Sequence, residues 1–111
     1  VATWRGPGVI TLLRADMERR FFFYIMTNQR RTVLYIGVTN NLPRRVYEHK
    51  EKLAASFASK YNAVDLVDYE IAETTEAAIT REKQLKAGPR RRKVELINSM
   101  NSAWRDLSGE L

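Results

Sequence analysis

Two short apolar runs separated by four polar residues constrain this chain most. Phe21 to Thr27 reads Phe-Phe-Phe-Tyr-Ile-Met-Thr, and Thr32 to Val38 reads Thr-Val-Leu-Tyr-Ile-Gly-Val, with Asn28-Gln29-Arg30-Arg31 between them. Aromatic and β-branched side chains fit a pleated surface, and so short a polar gap leaves room for little but a reversal. The pattern therefore predicts an antiparallel hairpin. With Asn28 and Arg31 flanking the turn, Tyr24 falls directly opposite Tyr35, and two phenols share one face. Such a pair is either a stabilising aromatic contact or part of a site.

The rest of the chain supplies helices and one more strand. Asn40 or Asn41 caps a helix that carries Pro43 in its first turn and runs to about Leu53. Ala54 to Tyr61 reads as a short helical or irregular piece. Val64 to Ile71 reads as a third strand. Thr74 or Thr75 caps a helix lasting to Ala87, Gly88-Pro89 breaks it, and a last helix runs from Arg90 to about Met100. The order β-β-α-β-α-α predicts an α+β fold, a small three-stranded antiparallel sheet flanked by helices. Residues 1–18 contain the loop-forming Arg5-Gly6-Pro7-Gly8 and lack periodicity. They read as a flexible extension ahead of one domain spanning residues 19–108.

Polar residues stand where these elements should be apolar. In the first helix, Leu42, Val46 and Leu53 form a stripe with His49 inside it and Arg45 one turn earlier. His49 is either a satisfied core residue or a functional group. In the second helix, Ala78, Ile79 and Leu85 mark the apolar face, and Glu82 sits among them. A buried carboxylate needs a cation, so Glu82 is either in an internal ion pair with Arg45 or a lysine, or a metal ligand. Two tyrosines, an arginine, a histidine and a glutamate then point inward from four elements. Hydrolysis of a phosphodiester calls for such groups: a proton acceptor, a cation for the phosphate and a metal for the leaving oxygen.

Charge agrees with an anionic partner. The formal net charge is +6 over 111 residues. Arg81, Lys83, Lys86, Arg90, Arg91, Arg92 and Lys93, set against Glu82 alone, account for all of it in one segment. That segment is either a solvated helix face or a patch for nucleic acid. The chain has no cysteine and a single histidine, which excludes disulfides and zinc-finger ligation and fits a reducing compartment such as the cytoplasm. No apolar run approaches the length needed to span a bilayer, so no membrane partner is expected.

These residues also resemble a known family. Tyr24, ten residues, then Tyr35-Ile36-Gly37 is similar to the signature of the GIY-YIG nuclease superfamily. Val38-Thr39-Asn40-Asn41-Leu42-Pro43-Arg44-Arg45, Tyr47-Glu48-His49, Ala78 to Lys86 and Met100 to Leu107 resemble its small stand-alone bacterial branch. Two places depart from the pattern. Phe22-Phe23-Tyr24 stands where Gly-Ile-Tyr is usual, and Ala87-Gly88-Pro89 stands near the last helix.

The resemblance implies a metal-dependent endonuclease acting on nucleic acid, DNA ahead of RNA. The alternative is a nucleic-acid-binding module on the same fold without catalysis. By the resemblance, Tyr24 and Tyr35 match the signature tyrosines and Arg45 the phosphate-contacting arginine. His49 matches a position held by histidine or tyrosine, and Glu82 the ligand of Mg²⁺ or Mn²⁺. Gly37 and Asn101 match structural positions, and Lys83, Lys86 and Arg90 to Lys93 are expected to face the nucleic acid. A tyrosinate is the implied base for the attacking water, with Tyr24 first. Its pKa must then fall from about 10 to about 7, which takes roughly 4 kcal/mol of preferential stabilisation.

Overall fold

The computed structural model describes Thr3–Trp4, residues 20–53 and residues 60–111. Four strands form one sheet: β1 (Thr3–Trp4), β2 (Phe21–Thr27), β3 (Leu34–Thr39) and β4 (Asp65–Ala72), in the order β1-β4-β2-β3, with every pairing antiparallel. Among the described residues three helices, α1 (Leu42–Lys50), α2 (Thr75–Ala87) and α3 (Arg90–Met100), flank the sheet, and a 3-10 turn at Leu107–Glu110 follows. The three longer strands and the helices follow the order β-β-α-β-α-α. The two-residue β1 is an addition at the edge. The rest of the expected extension, and residues 54–59 of the expected irregular piece, lie outside the described residues.

Strand β2 runs between β3 and β4 and is buried on both faces, which explains its unbroken apolar sequence. Successive side chains alternate between two cores. Phe22, Tyr24 and Met26 join Leu42 and Val46 of α1, Tyr69 of β4 and Leu107 on the first face. Phe23 and Ile25 join Ile36, Val67, Leu85 of α2 and Ile97 of α3 on the second. Each fully buried side chain of this size contributes about 1.5–3 kcal/mol.

The hairpin register differs from the sequence expectation by two residues. Tyr24 pairs with Gly37, and Tyr35 pairs with Met26. Thr32 and Val33 belong to the loop and not to the strand, because the Asn28 side chain closes a wider turn. Its Oδ1 accepts from the Thr32 and Val33 amides at 2.9 and 3.0 Å, and Arg31 takes a left-handed φ of 60°. A slip of two keeps every side chain on its face. Both tyrosines therefore still share one.

Helix α1 starts where its cap predicts, with Asn41 Oδ1 accepting from the Arg44 amide at 3.2 Å. It stops at Lys50, short of Leu53. Lys52 turns the chain with φ 53°, so Leu53 leaves the apolar stripe and lies 64% exposed. Lys50 explains the stop. Its ammonium donates to the Val64 carbonyl and pairs with Asp106, whose other oxygen accepts from the Leu66 amide. The end of α1, the start of β4 and the C-terminal turn are thereby tied together. Helix α2 is capped by Thr74, which accepts from the Ala77 amide. Ala78 and Leu85 are buried as expected, but Ile79 is exposed. Among the described residues no helix is long and apolar enough to cross a membrane.

Candidate active site

The first face of the sheet gathers four of the five catalytic candidates. Tyr24 stands at the centre of β2, Tyr35 near the start of β3, and Arg45 and His49 one turn apart on α1. The Tyr24 hydroxyl lies 3.0 Å from His49 Nε2. The ring centroids of Tyr24, Tyr35 and His49 are mutually 5.2–6.2 Å apart, with Tyr35 and His49 edge to face. This spacing is the usual one for aromatic pairs. The three rings form a triangle in which the Tyr24 hydroxyl bonds to His49 and also lies within hydrogen-bonding reach of Tyr35 and Arg45.

Gly37 makes room for that triangle. A Cβ at this position would stand 2.5 Å from the Tyr24 hydroxyl oxygen. The phenol thus crosses its cross-strand partner, and the last residue of Tyr35-Ile36-Gly37 must lack a side chain.

Exposure separates the members. Tyr24 is fully buried and His49 is 8% exposed, whereas Tyr35 is only half-buried. Burial, with Tyr35 nearby, pushes the Tyr24 phenol well above its ordinary pKa, and the Arg45 guanidinium offsets this only in part. Burial thus works against a tyrosinate at Tyr24 and Arg45 works for one. Burial first, then Arg45, lowers the His49 pKa, and Glu48 opposes them weakly. His49 is neutral at neutral pH, so one ring nitrogen is free to accept a proton.

Beside the triangle lies an open polar cleft lined by Thr39, Asn40, Asn41, Arg44, Arg45 and Glu48. Glu48 holds both arginines, Arg45 Nε at 3.2 Å and Arg44 Nε at 3.3 Å. Arg44, Asn40 and Glu48 are not among the site residues expected from the sequence, although Asn40 is a cap candidate there. The signal was present, since Arg44 and Arg45 stand four and three residues before one glutamate on a predicted helix.

Glu82 occupies α2, which packs on β2 and β3 from the second face through Leu85. Its carboxylate is 21% exposed and pairs with Lys86 at 3.2 Å, one turn on, and not with Arg45. More deeply buried carboxylates stand on β4, where Asp68 is fully buried and Glu70 nearly so. Glu70 of β4, 3% exposed, takes a two-pronged grip from Arg81, with Nε and an Nη group each at 2.9 Å. Arg81 thus leaves the basic patch. Two more members of the patch donate to backbone carbonyls, Arg90 to that of Arg31 and Lys93 to that of Gly88. Lys83, Lys86, Arg91 and Arg92 are exposed on α2 and α3.

Asn101 ends α3 and holds the chain behind it. Its Nδ2 donates to the Val67 and Arg105 carbonyls, and its Oδ1 accepts from the Arg105 amide.

Among the described residues no group of three or more histidines and carboxylates gathers. That does not suit zinc, which takes three or four protein ligands. One partly exposed carboxylate with water and phosphate oxygens does suit Mg²⁺, which dehydrates reluctantly.

Comparison with known proteins places this geometry. Residues 20–95 match the model of the GIY-YIG catalytic domain. A UPF0213 protein of Haloquadratum walsbyi is 36% identical over 63 residues, 57% of this chain and 71% of its own length. A UPF0213 protein of Clostridium perfringens is 36% identical over 66 residues, 60% of this chain and 71% of its own length. One of Natronomonas pharaonis is 33% identical over 81 residues, 73% of this chain and 94% of its own length. No solved structure matches the chain. Fold and match together define an α+β domain of nuclease type, with nucleic acid as the implied substrate class. The chain belongs to the GIY-YIG family. The names of its relatives assign no reaction, substrate or metal.

Proposed function

We propose that this protein is a metal-dependent endonuclease that hydrolyses phosphodiester bonds in DNA. The observation that carries the reading is the 3.0 Å bond between the Tyr24 hydroxyl and His49 Nε2, set beside Arg45 at an open polar cleft. A neutral imidazole, a phenol that bridges to it and a guanidinium are the parts that water attack on a phosphodiester requires.

The roles follow from exposure. Arg45 binds the scissile phosphate, and its planar fork spreads the positive charge over two oxygens. The attacking water meets Tyr35, the phenol that solvent reaches. Its proton passes toward the unprotonated nitrogen of the neutral His49 ring. Tyr24 is too buried to touch the water. It fixes the imidazole through its bond at Nε2, accepting from Nε2–H in the tautomer that leaves Nδ1 as the proton acceptor. Water adds its oxygen to phosphorus, the bond to the departing sugar oxygen breaks, and that oxygen takes up a proton from solvent. Glu82 is the residue that would hold Mg²⁺ or Mn²⁺, which when bound supplies charge stabilisation for the leaving oxygen. Lys83, Lys86, Arg91 and Arg92 add long-range attraction for the polyanion.

A second reading, a DNA-binding module without catalysis, is favoured by the Glu82–Lys86 pair, in which the carboxylate already has a cation. A plasmid-cleavage assay separates the two. The nuclease reading expects cutting with Mg²⁺ or Mn²⁺, none with chelator, and at least a 100-fold loss in Arg45→Ala and Glu82→Ala. Normal cutting by both variants would refute the assignment.

A further inference from the structure

We infer that Arg44 is a second phosphate ligand, holding the backbone phosphate next to the one at Arg45, and that Glu48 aims both guanidiniums until DNA arrives. The inference rests on the reading that this cleft receives a DNA strand.

Glu48 divides its carboxylate between the two arginines. Its Oε1 lies 3.2 Å from Arg45 Nε and its Oε2 lies 3.3 Å from Arg44 Nε. Adjacent residues on a helix point about 100° apart. Two guanidiniums drawn to one carboxylate therefore converge against their mutual repulsion. Each is held at Nε, and a guanidinium so held still has further N–H donors for a phosphate.

Stability alone is a weak reason for the arrangement. The Arg44 side chain is 75% exposed, and exposed ion pairs of this spacing add little to a fold. The cleft itself is informative. Its lining carries two guanidiniums and one carboxylate, together with Thr39, Asn40 and Asn41. One net positive charge with neutral polar walls suits a phosphodiester backbone better than a multiply charged free phosphate. Glu48 is also an anion in an anion-binding cleft, so it must weaken the DNA complex even as it orients its ligands.

The test is binding of a labelled DNA duplex to the full chain in EDTA, where nothing is cut, read by fluorescence anisotropy over a salt series. Arg44→Gln should weaken binding about 3- to 10-fold and flatten the slope of log Kd against log salt by about 0.9, the loss of one phosphate contact. Arg44→Lys should restore the slope, and Glu48→Gln should bind more tightly than the wild type. Arg44→Gln with wild-type affinity and slope would overturn the inference. So would Glu48→Gln with wild-type affinity, or a wild-type chain with no salt-dependent binding. Failure of the nuclease reading looks different: the wild type would bind in EDTA yet leave DNA intact in both Mg²⁺ and Mn²⁺.

Discussion

Gly37 lies across the sheet from Tyr24, and the phenol passes so close that a Cβ on residue 37 would sit 2.5 Å from its oxygen and 2.6 Å from Cζ. Tyr24 is fully buried, so its ring has nowhere to move without disturbing His49. Gly37→Ala should cost about 1–3 kcal/mol by overpacking. Because the hydroxyl must shift, cleavage should fall at least 10-fold as well. Urea denaturation and a cleavage assay on the same preparation check this. A variant with wild-type midpoint and rate would mean the ring is freer than its burial implies.

His49 predicts the pH dependence. Its folded-state pKa lies below the ordinary 6.5, chiefly through burial and then through Arg45. Between the two pKa values the unfolded chain binds more protons than the folded one, so this group makes stability rise with pH there. The contribution is present above about 6.5 and is lost as pH falls toward the folded value. Activity should follow the same group. With neutral imidazole as acceptor, kcat/KM should climb with pH at the acid end and be flat by neutrality. A pH–rate profile of His49→Asn against wild type decides, since an unchanged acid limb would assign that limb to another residue.

Much of this site was legible because strand and helix periods are rigid. Tyr24 and Tyr35 differ by an odd number, as any cross-strand pairs on one face of this hairpin must, so their shared face survived a two-residue error in register. The error itself lay in Asn28, whose side chain caps a loop wider than its polar residues suggested. Leu53 and Ile79 were misplaced for a related reason. Helical spacing tells which residues share a stripe, but not where Lys50 finds Asp106 and ends the helix, nor which part of α2 the sheet covers. Glu70 was missed altogether. Glu82 stands out in the sequence because it interrupts a helical stripe, whereas Glu70 sits in a strand where alternation permits a polar residue. Its burial comes from tertiary packing on the second face, where Arg81 of α2 reaches it.

That buried pair predicts an asymmetry. Glu70 is 3% exposed, while the Arg81 side chain is 31% exposed and lies near the Phe23 ring. Removing the arginine strands a carboxylate in the core. Removing the glutamate leaves a guanidinium that water can reach. Arg81→Ala should therefore destabilise by about 3 kcal/mol, the low end for a broken buried pair because one partner is partly solvated. Glu70→Gln should cost clearly less. Paired urea titrations test this, and equal losses would mean that Glu70 is better hydrated than its burial indicates.

Glu82 carries the opposite expectation, little effect on the fold and a large one on chemistry. Its partner Lys86 has a side chain 55% exposed, and a helical pair of that kind is worth about 0.3–0.5 kcal/mol. Glu82→Gln should therefore leave the denaturation midpoint nearly unchanged while cleavage drops at least 100-fold. Lys86 adds a sharper test, because an ammonium and a divalent ion would compete for the same oxygens. Lys86→Gln should lower the Mg²⁺ concentration for half-maximal cutting several-fold, with the maximal rate retained. A large loss of stability in Glu82→Gln would make the residue a structural one. An unchanged Mg²⁺ requirement in Lys86→Gln would place the ion elsewhere.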